Sequence, residues 1–318
     1  MLSFINLLIK TGYGNSKKTI TYAQSEQINS ASTFEAKYSI KDMLGSGGFG
    51  NIYSAVRKYD GKLVACKYIK RSKVPSNRWA IDSELGLVPM EVFIINNVKH
   101  QGVIQFYEIF NEGMYIIIVQ ELFGSVWATT VATIDKNTPS FALKSKEHKS
   151  QDLFELLDSR TLTESEIKHI FRQIVQVSIH LFEQHGLIHG DIKDENVLIN
   201  SDLEIKVIDF GGSERLTKKE LSAQQFHGTI EFASPEIVKG EKYDGQKAEV
   251  WALGCLVYGM TYGEIAFKQQ TNTIHNSRTP QTQPVDPLFL DLIDRCFEKN
   301  IEKRCTLKEL VNHPWLMA

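Results

Sequence analysis

The chain has 318 residues, 42% of them hydrophobic and 23% charged, as in a soluble globular protein long enough for one large domain or two lobes. Its 36 basic and 38 acidic side chains give a net charge of −2, so no overall basic field exists to draw in nucleic acid or an anionic membrane. Cys66, Cys255, Cys296 and Cys305 form no C-x-x-C pair and no disulfide framework. Free thiols in a reduced, intracellular location, cytoplasmic or nuclear, are expected. No run approaches the about 18 apolar residues that span a bilayer.

The start, MLSFINLLIK, is apolar but short, with no basic lead and no small-residue cleavage site, and reads as an extension rather than a targeting signal. Residues 1–36 are polar and aperiodic, a loosely ordered leader. A domain is expected over 37–317. YSIKDML, NIYSAVRKY and KLVACKYI are strand-like, with a hairpin turn at Asp60-Gly61. Residues 78–98 read as a helix, with Val92, Ile95 and Val98 on one face. VIQFYEIF and MYIIIVQEL follow as strands and complete a small β-rich lobe, about 37–121. Residues 125–150 are polar and aperiodic, a surface insertion in a larger helical lobe, about 122–317. Thr163-x-x-Glu166 and Thr306-x-x-Glu309 are capping boxes, and further helices are expected at 247–262, 288–298 and 306–312. The fold class is α+β, with two lobes.

Gly45-Ser46-Gly47-Gly48-Phe49-Gly50 is a G-x-G-x-x-G. Alone it is weak, because dinucleotide-binding folds use the same pattern at the start of a helix. Here a second strand and a hairpin follow, so the glycines form a lid whose backbone N–H groups can approach phosphates. Lys67 lies on the apolar third strand. By itself it could be a solvated edge lysine; as a functional group it is a cation facing phosphates, held by a carboxylate from the next helix. Glu91 is the candidate and Glu84 the competitor. In His189-Gly190-Asp191-Ile192-Lys193-Asp194-Glu195-Asn196, Asp191 fits the carboxylate that orients a hydroxyl and accepts its proton. Lys193 can neutralise charge on a moving phosphoryl group. Asn196, and Asp209 of Asp209-Phe210-Gly211, supply hard oxygen to Mg²⁺, which keeps several waters and needs few protein ligands.

Motif order and spacing resemble the eukaryotic protein kinases from about Tyr38 to Trp315. Ser234-Pro235-Glu236 stands at the A-P-E position, Glu249-Val250-Trp251 resembles D-x-W, and Arg304 stands where the family pairs an arginine with the A-P-E glutamate. VPMEV, QDLFELL and HGDIKDENVLI look like the PIM kinases and the PAS-domain kinases, and GTIEFASPE resembles the latter more. With 36 residues ahead of the core, no PAS sensory domain is expected within this sequence. The resemblance implies a bilobal fold, ATP and Mg²⁺ as cofactors, and protein substrates phosphorylated on serine or threonine by a monomer. It also implies that Leu44 and the glycine lid cover ATP, that Ile52, Ala65 and Leu198 sandwich the adenine, and that the hinge backbone at Glu121 and Phe123 bonds its edge. Gln120 is the expected gatekeeper and Thr229 a substrate contact. Asp152, Glu155 and Glu195 stand where PIM-like kinases hold an arginine upstream of the target. The bland alternative is that Asp152 and Glu155 only start a helix, where acidic residues suit the dipole.

Departures at five positions qualify the resemblance. Gly190 replaces the arginine of H-R-D, which in many kinases receives a loop phosphate. Gln225 stands near the position of the usual phosphothreonine, so independence from loop phosphorylation is expected. Glu249 replaces an aspartate, and looser contacts to the catalytic loop are expected. Gly259 and Lys268 replace acidic residues that extend arginine selection in the PIM kinases. A pseudokinase that binds partners without catalysis is the alternative from another class. The presence of Lys67, Glu91, Asp191, Asn196 and Asp209 argues for the enzyme.

Overall fold

The computed structural model describes residues 33–47, 50–123, 151–216, 226–275, 278 and 286–317. Residues 1–32, Gly48, Phe49, the 125–150 insertion and Gln225 lie outside the described residues. Helix α1 (Phe34–Lys37) starts at Thr33, whose side chain accepts the Ala36 N–H. Phe34, three residues before the boundary expected from composition, is buried against Tyr38 and Phe110. A single aromatic in a polar leader carries no periodicity that would announce this.

Strands β1 (Tyr38–Gly47), β2 (Gly50–Arg57) and β3 (Leu63–Lys70) form an antiparallel meander. Gly61, at φ +74°, makes the turn between β2 and β3. Residues 78–98 are not one helix. Strands β4 (Trp79–Asp82) and β5 (Gly86–Pro89) form a hairpin, and helix α2 occupies only Met90–Asn97. Asp82 closes the turn by accepting the N–H groups of Glu84 and Leu85, Gly86 sits at φ +72°, and Pro89 stops a helix from extending backwards. Val92 and Ile95 are buried as their spacing requires. Strands β6 (Phe106–Glu112) and β7 (Tyr115–Glu121) complete a five-stranded sheet in the order β1-β2-β3-β7-β6.

The second lobe begins with α3 (Leu153–Ser159) and α4 (Glu164–His185), the latter opened by the expected capping box at Thr163 and closed by Gly186 in the left-handed region. Strands β8 (Leu187–Ile188), β9 (Val197–Ile199) and β10 (Ile205–Val207) carry the catalytic-loop motif between them. Strand β11 (Glu214–Arg215) returns to pair with β8. Helices α5 (Pro235–Val238), α6 (Gly245–Tyr262), α7 (Gln270–His275), α8 (Pro287–Cys296), α9 (Leu307–Val311) and α10 (Pro314–Met317) follow. Helix α6 is apolar nearly all round and lies in the core, with Trp251 stacked on Phe267. All four cysteines are free and buried. Among the described residues no helix is long and apolar enough to cross a membrane.

Arg304 grips Glu236 through two bonds of 2.7 and 3.0 Å, both side chains out of solvent. This pair ties the loop before α9 to α5. Arg304→Met removes one charge and strands the other, a change that costs about 3–5 kcal/mol for a buried pair. Urea unfolding of the variant should show a loss of that size; a stability equal to wild type would contradict it.

Candidate active site

Strand alternation turns Lys67 off β3 into the protein, opposite Ile52 of β2 and Ile118 of β7. The residue is 7% exposed. Its Nζ lies 2.6 Å from Glu91 Oε1 and 3.1 Å from Asp209 Oδ1. Glu91 sits in the first turn of α2, whereas Glu84 is on the turn of the β4–β5 hairpin. Three chain segments thus converge on one ammonium. Burial works against the lysine's charge, but Glu91 and Asp209 outweigh it and hold Lys67 above its ordinary range. The same burial lifts Glu91 above the usual carboxylate range despite Lys67. Burial also acts on Asp209, yet the Lys67 cation brings its carboxyl below that range. Asp209 adopts φ +58°, a conformation L side chains rarely take, and its carboxylate accepts the Gly211 N–H.

The catalytic-loop motif is fixed from below. His189 is fully buried, with its ring against Phe210. Its Nδ1 accepts the Asp191 N–H, so Nε2 carries the proton and donates to the Ile208 carbonyl at 2.9 Å. Asp191 Oδ1 accepts the Thr229 N–H at 2.7 Å, and its Oδ2 accepts from Asn196 Nδ2 at 3.0 Å. Asn196 gives a second bond through Nδ2 to the Asp191 carbonyl, which leaves its Oδ1 as the oxygen available to a cation. Lys193 Nζ lies 2.5 Å from Glu195, so the two residues to which sequence gave separate roles form one ion pair.

Ile52 and Ala65 lie on the neighbouring strands β2 and β3, Ala65 pairs with the buried Gln120, and Leu198 lies on β9. The Glu121 N–H already donates to the Gln105 carbonyl, so any bond from this residue's backbone to an adenine edge must use its carbonyl. Its carboxylate is held by Lys206 at 2.9 Å, and Lys206 also lies over the Phe123 ring. Of the lid, Leu44, Gly45, Ser46 and Gly47 close β1 and Gly50 opens β2. Gly50 has no alternative, because a Cβ there would stand 1.6 Å from the Tyr68 carbonyl oxygen.

Asp152 caps α3 by accepting the Glu155 N–H at 2.8 Å, as the bland reading of its position requires. Burial nevertheless lifts its carboxyl above the ordinary range against that bond, and Glu155, Asp194 and Glu195 add to the rise. Asp152 forms an isolated β-bridge with Leu198, and α3 packs against residues 194–196, so the predicted carboxylates lie in neighbouring segments. Asp194 joins them, and sequence reasoning passed over it because its motif position suggested only the metal and base residues on either side. A cavity of about 240 Å³ beside them is lined in part by Phe154, Asp158, Asp194, Glu231 and Glu264.

Residues 38–316 match the protein kinase domain. The chain belongs to the serine/threonine protein kinase family. It is 33% identical over 287 residues to the PAS domain-containing serine/threonine-protein kinase of Mus musculus, a match covering 89% of this chain and 19% of that protein. It is 30% identical to serine/threonine-protein kinase pim-2 of Danio rerio, over 91% of this chain and 87% of that protein. NUAK family SNF1-like kinase 1 of Homo sapiens is 30% identical, over 88% of this chain and 38% of that protein. The chain thus spans about a fifth of the mouse protein and under two fifths of the human one.

Two departures from the kinase pattern have a structural reason. Gly190 sits at φ +77°, and a Cβ there would lie 2.5 Å from the Gly212 carbonyl oxygen, so this backbone accepts no larger residue without moving. Glu249 was expected to hold the loop more loosely than an aspartate. Instead its carboxylate accepts both the Gly190 N–H at 2.9 Å and the His189 N–H at 3.1 Å, with Ser178 Oγ at 3.4 Å. The extra methylene lengthens the reach without loosening the contact. Glu249→Leu in this kinase leaves two N–H groups unanswered, at about 1–3 kcal/mol for each one that is buried. A denaturant titration should show stability falling by that order, and no loss would contradict the assigned contacts.

Proposed function

We propose that this chain transfers the γ-phosphoryl group of ATP to serine or threonine hydroxyls of protein substrates, acting as a monomer. The observation that carries the proposal is the bonding of Lys67 to both Glu91 and Asp209. Lys67 faces the α- and β-phosphates, and Glu91 keeps its side chain extended towards them. Asp191 orients the acceptor hydroxyl and takes its proton; its Oδ1 is already turned towards the Thr229 backbone, on the segment expected to seat the acceptor. Lys193 screens charge on the phosphoryl group in flight, steadied by Glu195. The donor set fits a hard divalent cation, with the Asp209 carboxylate and the Asn196 amide oxygen as ligands. Magnesium, when bound there, supplies charge neutralisation for the phosphate oxygens. Leu44, Gly45, Ser46, Gly47, Gly48, Phe49 and Gly50 cover the nucleotide. Ile52, Ala65 and Leu198 enclose its base, with Glu121 and Phe123 at the base's edge.

Lys67→Met removes a charge aimed at the phosphates, and Asp209→Asn weakens the cation site. Each lost electrostatic contact of this kind costs about 10²–10³ in rate. Steady-state transfer of labelled phosphate to a serine peptide should fall accordingly in both purified variants. Near-normal turnover in either would refute the assignment.

The proposal extends to an arginine about three residues before the target. Support comes from the packing of α3, with Asp152 and Glu155, against residues 194–196, since a guanidinium presents a planar fork that matches both oxygens of one carboxylate, whereas an ammonium is a point charge without that fixed geometry. Selection further upstream is weaker, because Gly259 carries no charge and Lys268 already lies 3.0 Å from Glu264. A degenerate peptide library scored by position should select arginine at that one place. An Asp152→Ala, Glu195→Ala double variant should lose the selection. Proline-directed or acidic selection would overturn the proposal, as would unchanged arginine preference in the double variant.

A further inference from the structure

Arg78 stands just before β4 and is 6% exposed. A buried arginine is rare and needs partners for its charge and its donors. Arg78 finds partners for its charge and for both terminal nitrogens far along the chain, while its buried Nε has none among the described residues. Nη1 lies 2.6 Å from Glu214 Oε1, and Nη2 lies 2.5 Å from the Gly211 carbonyl and 2.6 Å from the Ser213 carbonyl. All three acceptors fall within the four residues 211–214, which begin two places after Asp209. A planar fork of donors can serve two carbonyls and a carboxylate together, which a lysine's point charge cannot do in fixed geometry.

The other end of this contact leads to Glu91. From Arg78 the chain enters the β4–β5 hairpin and then α2. Asp82, at the end of β4, accepts bonds from Asn96 at 3.1 Å and Asn97 at 2.7 Å, so the hairpin is fastened along α2 as well as joined to its start. Arg78 therefore links the element that carries Glu91 to the segment that follows Asp209. These two carboxylates hold Lys67.

Among the described residues, the Glu214 carboxylate has its ion pair with Arg78. A cavity of about 20 Å³ on the catalytic-loop side is lined by Gly190, Tyr243, Glu214 and Glu249, and its described lining includes no lysine or arginine. Gly190 stands where the family pattern has an arginine, and its backbone leaves no room for a side chain. Ser213, a conceivable loop phosphorylation site, is 1% exposed.

We propose that Arg78 is a positioning residue that holds the segment after Asp209 in register with α2, so that the small lobe supplies, through Glu214, the clamp that an arginine of the catalytic loop and a loop phosphate would otherwise provide. This rests on the kinase reading. Glu214 is a carboxylate encoded in the sequence in place of an added phosphate, and the clamp is closed without modification. Loss of Arg78 leaves a half-buried carboxylate and two carbonyls without their shared donor. Asp209 then moves relative to Lys67, and transfer slows although Arg78 touches neither nucleotide nor acceptor.

The test uses the full chain, treated with phosphatase and verified by mass spectrometry to carry no phosphate. Wild type, Arg78→Ala, Arg78→Lys, Glu214→Gln and the Arg78→Ala, Glu214→Gln double variant are compared for kcat, for KM towards a serine peptide, and for melting temperature. Wild type should be active. Arg78→Ala should lose about 10²-fold in kcat, the cost typical of a displaced catalytic group. Arg78→Lys should fall between the two, and peptide KM should stay within about twofold, as for an interaction made in the transition state alone. The double variant should be no slower than Arg78→Ala, because the two residues act as one unit. An ion pair that merely stabilises the fold would lower the melting temperature and leave kcat of the folded protein unchanged; that result overturns the inference. If Arg78→Ala does not fold, Glu214→Gln decides, with about a tenfold loss expected and wild-type kcat overturning the inference. Wild type that is active before phosphatase and inactive after it would also overturn the inference while leaving the kinase reading intact. Wild type inactive in both states would sink the kinase reading and this inference with it.

Discussion

One buried ammonium organises this protein. Lys67 is out of solvent, and a cation there must be answered by anions or not be charged at all. The two anions come from residues 24 and 142 positions further on. The sheet, the first long-range helix and the loop after β10 can satisfy this charge only when the two lobes are set against each other in one way. Breaking the arrangement leaves uncompensated charge in the interior, and such breaks are costly even where the intact pair adds little net stability. The site is in this sense a constraint on the fold as much as a product of it.

The second lobe does its part by spending buried polar groups on backbone. Glu249 holds two successive N–H groups of the catalytic loop, and His189 bridges the same loop to the strand before Asp209. The side chains of Asp191 and Asn196 are left facing one another at 3.0 Å. Arg304 and Glu236 fasten the helices beneath. Each is a polar residue in a dry place with its partners supplied, the condition under which a polar network rigidifies a site and does not weaken it.

The sequence was most legible where chemistry forces spacing. Lys67 lies beside Glu91 and Asp209, Asp191 lies beside Asn196, and both capping boxes close as written. It was less legible where a local pattern had two solutions. Val92 and Ile95 carry a helical period, but Asp82, Gly86 and Pro89 are turn and stop signals, and they win over residues 79–89. Phe34 and Arg78 left no trace in periodicity because each is an isolated residue whose decisive partners include ones more than 70 residues away. The pairing of Lys193 with Glu195 was hidden for the opposite reason: both residues had been given outward-facing roles, and nothing in their spacing excludes a bond between neighbours.

The most direct test of the central claim is transfer itself. Purified, phosphate-free chain is incubated with labelled ATP, Mg²⁺ and a serine peptide, alongside Asp191→Asn, a change that keeps the side chain's shape and removes its basicity. Label on the peptide with wild type, and a loss of about 10²–10⁴-fold in the variant, is the predicted result for a general base in this position. Equal incorporation by both proteins, or none by wild type, would contradict it.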